Sequence, residues 1–458
     1  MTRPQRDDEF RLEIADLAFG GIGVGRHDGF VVFVPDTAPG DVVDVRVRRA
    51  RRRFADADLL EVVQAGPDRI DAPCPYVPRC GGCRLQHVDY PRQAEAKQAQ
   101  IAEHLARIGH LPDVEVRPID HALERFGYRN KMEYSAAPDD TGEFTLGFHQ
   151  RGRWDRVIGL DACLLATPAG NAVRDHVRAW GRREGIAAYD QREQAGFFRH
   201  LVVREGVRSG ELLVTVVTAP GGDDVVDSLA RELMGEIDGI VGVLHAINDG
   251  VAETTQGLPT RIVVGRDWFT ERVLDVSLRL SAPSFFQTNT VMTEVLYGRV
   301  AEAAGLDGGQ VVFDLFAGVG SIGIALGRQA KAVVAIEIIP EAVEDARRNA
   351  EANGLVNHRA LCGDVGKIMR EHREELPRPD VVIVDPPRGG LSGRAVRRVL
   401  EVAAPTLVYV SCQPATFADN AARFIEGGYR LDWVQPVDMF PNTPHVEAVA
   451  RFTMQAGA

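Results

Sequence analysis

The rhythm of hydrophobic and polar positions changes along this chain. Over residues 9–65, short runs separated by glycine read as strands of a compact barrel: Leu12-Glu13-Ile14, Phe30-Val31-Val32-Phe33-Val34, Val42-Val43-Asp44-Val45-Arg46-Val47 and Leu59-Leu60-Glu61-Val62-Val63. Gly20, Gly21, Gly23, Gly25, Gly29 and the pair Pro39-Gly40 are expected to mark the turns between them. Residues 66–90 lack periodicity, and residues 91–110 read as an exposed helix. From about 115 to 285 short strands alternate with turns, which predicts a central antiparallel β domain. From about 290 the pattern becomes strand–helix–strand. Its apolar strands are Val311-Val312-Phe313-Asp314-Leu315, Ala332-Val333-Val334-Ala335-Ile336, Val381-Val382-Ile383-Val384 and Thr406-Leu407-Val408-Tyr409-Val410. Near-continuous apolar strands between helices predict a parallel sheet covered on both faces. The expected class is therefore α/β, with units at 1–66, 67–285 and 286–458.

Composition changes this picture little. A chain of 458 residues with 45% hydrophobic and 26% charged positions suits about three globular domains. The opening Met1-Thr2-Arg3-Pro4-Gln5-Arg6 has no apolar core, and no run approaches the ~18 apolar residues of a membrane span. A cytoplasmic, monomeric enzyme is the default expectation. Net charge is −12, yet Arg46, Arg48, Arg49, Arg51, Arg52 and Arg53 fall within eight residues. Such a patch on a small barrel suits either a charge-blunted strand edge or contact with nucleic-acid phosphates.

The strand ends carry the chemistry. Asp314-Leu315-Phe316-Ala317-Gly318-Val319-Gly320-Ser321-Ile322-Gly323 joins a strand to a helix. Gly318 and Gly320 permit a tight turn beside a ligand, and Gly323 permits close packing of helix on strand. Glu337 ends the next strand, nineteen residues past Gly318, where a carboxylate can accept ribose hydroxyls. The glycine pattern alone fits dinucleotides too. Asp314 ahead of it, Asp364 after a third apolar patch and Asp385-Pro386-Pro387 favour S-adenosylmethionine. Cys412 closes the apolar run Leu407-Val408-Tyr409-Val410-Ser411, and Glu447 follows thirty-five residues later in Pro444-His445-Val446-Glu447. A lone cysteine is commonly a small buried hydrophobe. A thiol paired with a carboxylate also suits alkylation at C5 of uracil, where sulfur adds to C6 and a base removes the C5 proton. Asp385 and Arg388 would then lie near the base.

These residues, with Tyr128-Arg129-Asn130-Lys131, Arg199-His200-Leu201-Val202-Val203-Arg204 and Phe285-Phe286-Gln287-Thr288-Asn289, make the chain resemble the RNA 5-methyluridine methyltransferases that modify bacterial 23S ribosomal RNA. The resemblance runs over essentially the whole chain. It implies a TRAM-like, OB-like N-terminal barrel that binds RNA and a Rossmann-like class I methyltransferase domain. By that similarity Gln287, Phe316, Gly318, Gly320, Ser321, Glu337, Asp364 and Asp385 meet the cofactor or active site. Cys412 is the nucleophile, Glu447 the base, and Phe285 and Arg388 contact the flipped target base. The chain departs from the family at Gln413, where Asn is usual, and at Ser321 and Asp364, which replace Asn of some members.

Six cysteines are present, three of them within ten residues at Cys74, Cys80 and Cys83. With Cys163 they offer four thiolates for a [4Fe–4S] cluster or a zinc ion; the resemblance implies the iron–sulfur cluster. Cys362 follows an apolar run and is expected to be a buried structural thiol. The barrel and cysteine site, which smaller tRNA-acting relatives lack, point to ribosomal RNA. Transfer RNA is the alternative target. An RNA-binding assembly factor without activity and a small-molecule methyltransferase are the other readings.

Overall fold

The computed structural model describes residues 3–455. Five strands, β1 (Glu9–Ala18), β2 (Ile22–His27), β3 (Phe30–Val34), β4 (Val42–Ala50) and β5 (Phe54–Gln64), close into a barrel in the order β1-β2-β3-β5-β4. Leu12, Ile14, Val32, Val34, Val43, Val45 and Ala57 fill it. Gly23 and Gly25 were expected in turns but lie within β2. A Cβ at Gly23 would strike the Thr37 hydroxyl, and one at Gly25 the Glu13 carbonyl, so glycine here serves close approach rather than turning. Half of the arginine patch is neutralised, Arg46 by Glu9, Arg48 by Asp58 and Arg51 by Asp56. Arg49, Arg52 and Arg53 have no carboxylate within 4.0 Å among the described residues.

Helix α1 (Tyr90–Arg107) was expected to be exposed and is half buried. Ala94, Ile101 and Leu105 join the core of the C-terminal sheet with Phe417 and Ala418. The polar positions that suggested a solvated face are themselves buried and partnered. Gln93 donates to the Leu85 and Val88 carbonyls at 2.9 and 2.8 Å. The Lys97 ammonium, 1% exposed, lies 2.6 Å from Asp438, which also accepts from the Tyr90 hydroxyl at 2.9 Å. A buried charge persists only with such partners.

The central sheet contains β6 (Lys131–Pro138), β7 (Phe144–His149), β8 (Val157–Gly159), β9 (Phe198–Gly206), β10 (Glu211–Thr218), β11 (Ile240–Ile247) and β12 (Thr260–Gly265), in the order β12-β11-β10-β9-β6-β7-β8. Helices α2 (Pro168–Arg183) and α3 (Asp223–Glu236) cover it through Val173, Trp180, Leu229 and Leu233. The expected antiparallel pattern fails at one pair. β10 and β11 run parallel, because α3 forms the crossover that a parallel connection needs. A hairpin, β13 (Trp268–Val273) and β14 (Val276–Ser281), follows.

The remaining chain is α4 (Thr290–Ala304), β15 (Val311–Leu315), α5 (Ser321–Leu326), β16 (Ala332–Glu337), α6 (Pro340–Ala352), β17 (His358–Cys362), α7 (Val365–Glu371), β18 (Val381–Val384), α8 (Gly393–Val402), β19 (Thr406–Ser411), α9 (Pro414–Glu426), β20 (Tyr429–Val437) and β21 (Glu447–Met454). The sheet order is β17-β16-β15-β18-β19-β21-β20, with apolar packing on both faces. Its first five strands are parallel, whereas β21 lies antiparallel between β19 and β20. This insertion sets Ala448 opposite Ser411 and so brings Glu447 to the Cys412 end of β19. Cys362, expected to be buried, is exposed at the end of the edge strand β17.

Replacing Lys97 with Met leaves Asp438 as a buried charge without its ammonium. The expected cost is about 3–5 kcal/mol, read as a lower urea midpoint for the transition of the C-terminal sheet. An unchanged midpoint would contradict the assigned role of this pair.

Candidate active site

The loop from β15 to α5 forms a cradle at the C-terminal edge of the sheet. Asp314 is buried; its Oδ2 accepts from the Gly323 amide at 2.9 Å, while Oδ1 has no partner. Burial pushes its carboxyl up to about 7, against that hydrogen bond and with help from the Glu337 charge. Phe316 sits at φ +64, a left-handed conformation that costs a bulky residue energy and is typical of functional turns. Gly318 and Gly320 follow at φ +53 and +76, and above Gly318 the space is open. Glu337 closes the cradle. Its Oε2 accepts from Gly318 at 3.0 Å and its Oε1 from Ile338 and Ile339 at 2.7 and 3.0 Å.

The other expected cofactor residues take distinct places. Ser321 shares a 2.6 Å hydrogen bond with the buried Tyr297 hydroxyl. Tyr297 escaped sequence reasoning because it sits among ordinary apolar positions of α4. Asp364 caps α7, accepting from the Lys367 amide at 2.9 Å. Gln287 is buried, and its carbonyl accepts from the Asn130 amide at 2.9 Å. Phe285, two residues away, is 68% exposed. Ile338 and Ile339 were also missed; both are exposed beside Glu337 and offer an apolar surface suited to a flat heterocycle.

Across the same edge lie Asp385 after β18, Cys412 after β19 and Glu447 at the start of β21. Burial pushes the Cys412 thiol up to about 12, reinforced by the Glu447 and Asp385 charges and opposed by Arg388. Burial, with Asp385 adding, also holds the Glu447 carboxyl well above its ordinary range, and its Oε2 has no hydrogen-bond partner. Asp385 is raised to about 7 by burial and then by Asp314. Thiol, carboxyls and Arg388 thus lie near enough to influence one another. Gln413 caps α9 next to Cys412 with a buried, unpartnered Oε1.

The cysteines expected as ligands influence one another electrostatically. Burial pushes Cys83 up to about 12; a hydrogen bond with Gln86 opposes this, and Cys163, Cys80 and Cys74 each add to it. Cys80 is raised by burial against an N–H···S contact of 3.5 Å from Gly82. A second ligand-like trio, His176, Glu232 and Glu236, bridges α2 and α3, where Arg183 already neutralises Glu232 at 2.6 Å.

A crevice at the carboxyl ends of such strands, with a glycine turn and an acidic residue closing the next strand, is the cofactor site of a methyltransferase fold. The family tRNA (Uracil-5-)-methyltransferase matches residues 244–453, and the TRAM domain matches residues 5–60. An uncharacterized RNA methyltransferase of Halalkalibacterium halodurans is 35% identical over 97% of each chain. One from Gloeobacter violaceus is 38% identical over 96% of this chain and 95% of its own. The solved tRNA (uracil-54, C5)-methyltransferase of Pyrococcus abyssi, in complex with S-adenosyl-L-homocysteine, is 29% identical with a TM-score of 0.77, covering 97% of this chain and 99% of that one. The chain belongs to the RNA uracil-5-methyltransferase family, whose methyl donor is S-adenosylmethionine. No helix among the described residues is long and apolar enough to cross a membrane.

The electrostatics predict that Cys412 is sluggish toward alkylating reagents in the free protein. Its raised proton affinity leaves little thiolate at pH 7, so iodoacetamide labelling should increase about tenfold per pH unit up to pH 9. Peptide mapping by mass spectrometry separates this site from the exposed Cys362. Rapid, pH-independent labelling of Cys412 would contradict the assigned environment.

Proposed function

We propose that this enzyme forms 5-methyluridine in folded RNA, with Cys412 as nucleophile and Glu447 as base. The observation that carries the reading is the antiparallel insertion of β21, which brings Glu447 to the Cys412 end of β19, within electrostatic reach of Asp385 and Arg388. The cradle suits S-adenosylmethionine: Asp314 has a free buried oxygen, space is open above Gly318, Glu337 supplies a carboxylate and Ile338 an apolar face. Gln287, Phe316, Gly320, Ser321, Asp364 and Asp385 complete the residues that would hold it. When bound, the cofactor supplies a methyl group on a sulfonium, which departs as a neutral thioether.

The residues of the chain do the rest. The Cys412 sulfur, as thiolate, bonds to C6 of a uracil flipped out beside Phe285, and the ring electrons move onto O4 as an enolate. That enolate makes C5 nucleophilic toward the methyl group. Glu447, as carboxylate, then takes the C5 proton. The electrons return through the ring, and the C6–S bond breaks to release Cys412. A carboxyl with raised proton affinity is a stronger base once ionised, as removal of a proton from carbon requires. Asp385 and Arg388 orient the base, and Arg388 is the cation that faces the developing negative charge.

Ribosomal RNA is the proposed target, acted on in the cytoplasm by a monomer. Residues 1–66 would grip RNA, 67–285 would carry the cysteine site and 286–458 would hold cofactor and target base. Transfer RNA is a second reading, favoured by the Pyrococcus abyssi enzyme, which shares this architecture over nearly its whole length. For Cys74, Cys80, Cys83 and Cys163 we favour a [4Fe–4S] cluster. Structural zinc sites more often show two paired short spacings, whereas here only Cys80 and Cys83 are so paired.

Incubated with S-adenosylmethionine and uracil-C5-tritiated transcripts, the protein should release tritium from 23S fragments. Release from tRNA alone would move the target, and release from neither would defeat the enzymatic reading. Cys412→Ala should cut release about 10³-fold or more. Glu447→Gln should instead accumulate a denaturation-resistant covalent RNA adduct. Anaerobically purified protein should contain iron and acid-labile sulfide in equal amounts, both lost in Cys83→Ser; colourless protein with stoichiometric zinc would overturn the cluster assignment.

A further inference from the structure

The cysteine loop and the catalytic site share a strip of backbone. Arg84, immediately after Cys83, donates its N–H to the Asn442 carbonyl at 3.0 Å, and Leu85 donates to the same oxygen at 3.1 Å. Asn442 is buried in a left-handed conformation at φ +68. Its own N–H donates to Gln93 at 3.0 Å, and its side-chain amide donates to the Arg125 carbonyl at 2.8 Å. Three residues on comes His445, and two further on Glu447. Arg129 approaches from the central sheet. On one side Tyr128 donates to the Pro441 carbonyl at 3.1 Å; on the other, Asn130 donates to Gln287 at 2.9 Å. The Arg129 Nε is buried and has no partner.

Arginines elsewhere in this acidic chain are commonly neutralised, as Arg69 is by Asp41, Arg92 by Asp16 and Arg299 by Asp120. Among the described residues, Arg84, Arg129 and Arg388 have no carboxylate within 4.0 Å. All three bear on His445, which burial first and then these cations, with Lys97, hold down to about 4. Arg84 and Arg129, neither with a carboxylate partner, thus both adjoin the 441–442 turn that leads to His445 and Glu447, through the Asn442 and Pro441 carbonyls. Each guanidinium is a planar fork suited to bidentate phosphate binding. With a net charge of −12 the chain as a whole repels RNA, so local unpaired cations have to supply the attraction.

We propose that Arg84 and Arg129 clamp the phosphodiester backbone of the RNA strand beside the target uridine, and that the cysteine site serves to hold Arg84 in that position. The inference rests on the functional reading above and assigns the cysteine loop a part in substrate binding.

The test is RNA binding as a function of salt. Fluorescence anisotropy with 23S fragments and tRNA transcripts, in the presence of S-adenosylhomocysteine, compares wild type with Arg84→Gln, Arg84→Lys and Arg129→Gln. Each Gln variant should lose about 0.7 from the slope of log K against log salt, the value for one single-strand phosphate contact, with affinity down about tenfold at low salt. Arg84→Lys should keep the slope, and S-adenosylhomocysteine affinity should be unchanged in all three. In turnover, the Gln variants should raise the RNA KM and leave kcat within about twofold. Wild-type slopes in both Gln variants would overturn the clamp, as would lost affinity at unchanged slope or a parallel fall in S-adenosylhomocysteine binding. Absence of tritium release from wild type would count against the methylation reading alone, since the binding slopes are read without turnover.

Discussion

At one edge of the C-terminal sheet the carboxyl groups of Asp314 and Glu447 are buried and that of Asp385 is half-buried, and among the described residues none has a cation within 4.0 Å. Everything proposed for the site follows from that constraint. Desolvation is the largest influence on each of them and on Cys412, and their charges raise one another further. The pocket consequently holds protons tightly. A thiol in such a pocket is quiet until substrate arrives, and a carboxylate there is an avid proton acceptor once ionised. Arg388 is the nearby counterweight. The same negative character suits a cofactor that carries a sulfonium cation, and it disfavours any phosphate entering without further cations at the mouth.

Holding these groups together requires distant parts of the chain. Glu447 reaches Cys412 only because β21 is wedged between β19 and β20. The loop that precedes β21 is held by Asp438, which takes hydrogen bonds from Lys97 and Tyr90 of α1 at 2.6 and 2.9 Å. It is held again at Asn442 by Gln93 and the cysteine loop. The N-terminal third of the protein therefore sets the position of Glu447.

Much of the site was legible in the sequence because strand ends in an α/β sheet announce themselves. An apolar run followed by Asp314 and glycines, by Asp385-Pro386-Pro387 or by Cys412 places chemistry at the carboxyl edge. Strand direction is not encoded in hydrophobicity, so neither the antiparallel β21 nor the parallel β10–β11 pair could be read. The burial of α1 was hidden for another reason. Gln93 and Lys97 are polar, and the partners of Lys97 lie more than three hundred residues away. Gly23 and Gly25 look like turn residues, and only the walls of the barrel reveal that they make room for Thr37 and Glu13. Spacing drew attention to Cys74, Cys80 and Cys83. Cys163 joined them through family resemblance, since nothing in its local sequence marks it.

The most direct test of the account replaces the C5 hydrogen of the target uracil with fluorine. Glu447 then has no proton to take, so the sequence should stop after methyl transfer with the C6–S bond intact. With S-adenosylmethionine present, RNA containing 5-fluorouridine should form a denaturation-stable complex. Mass spectrometry of its digest should find the Cys412 peptide joined to a methylated fluorouridine nucleotide. Attachment at any other residue, or failure to form the adduct with an RNA that the enzyme methylates in its unfluorinated form, would contradict the account.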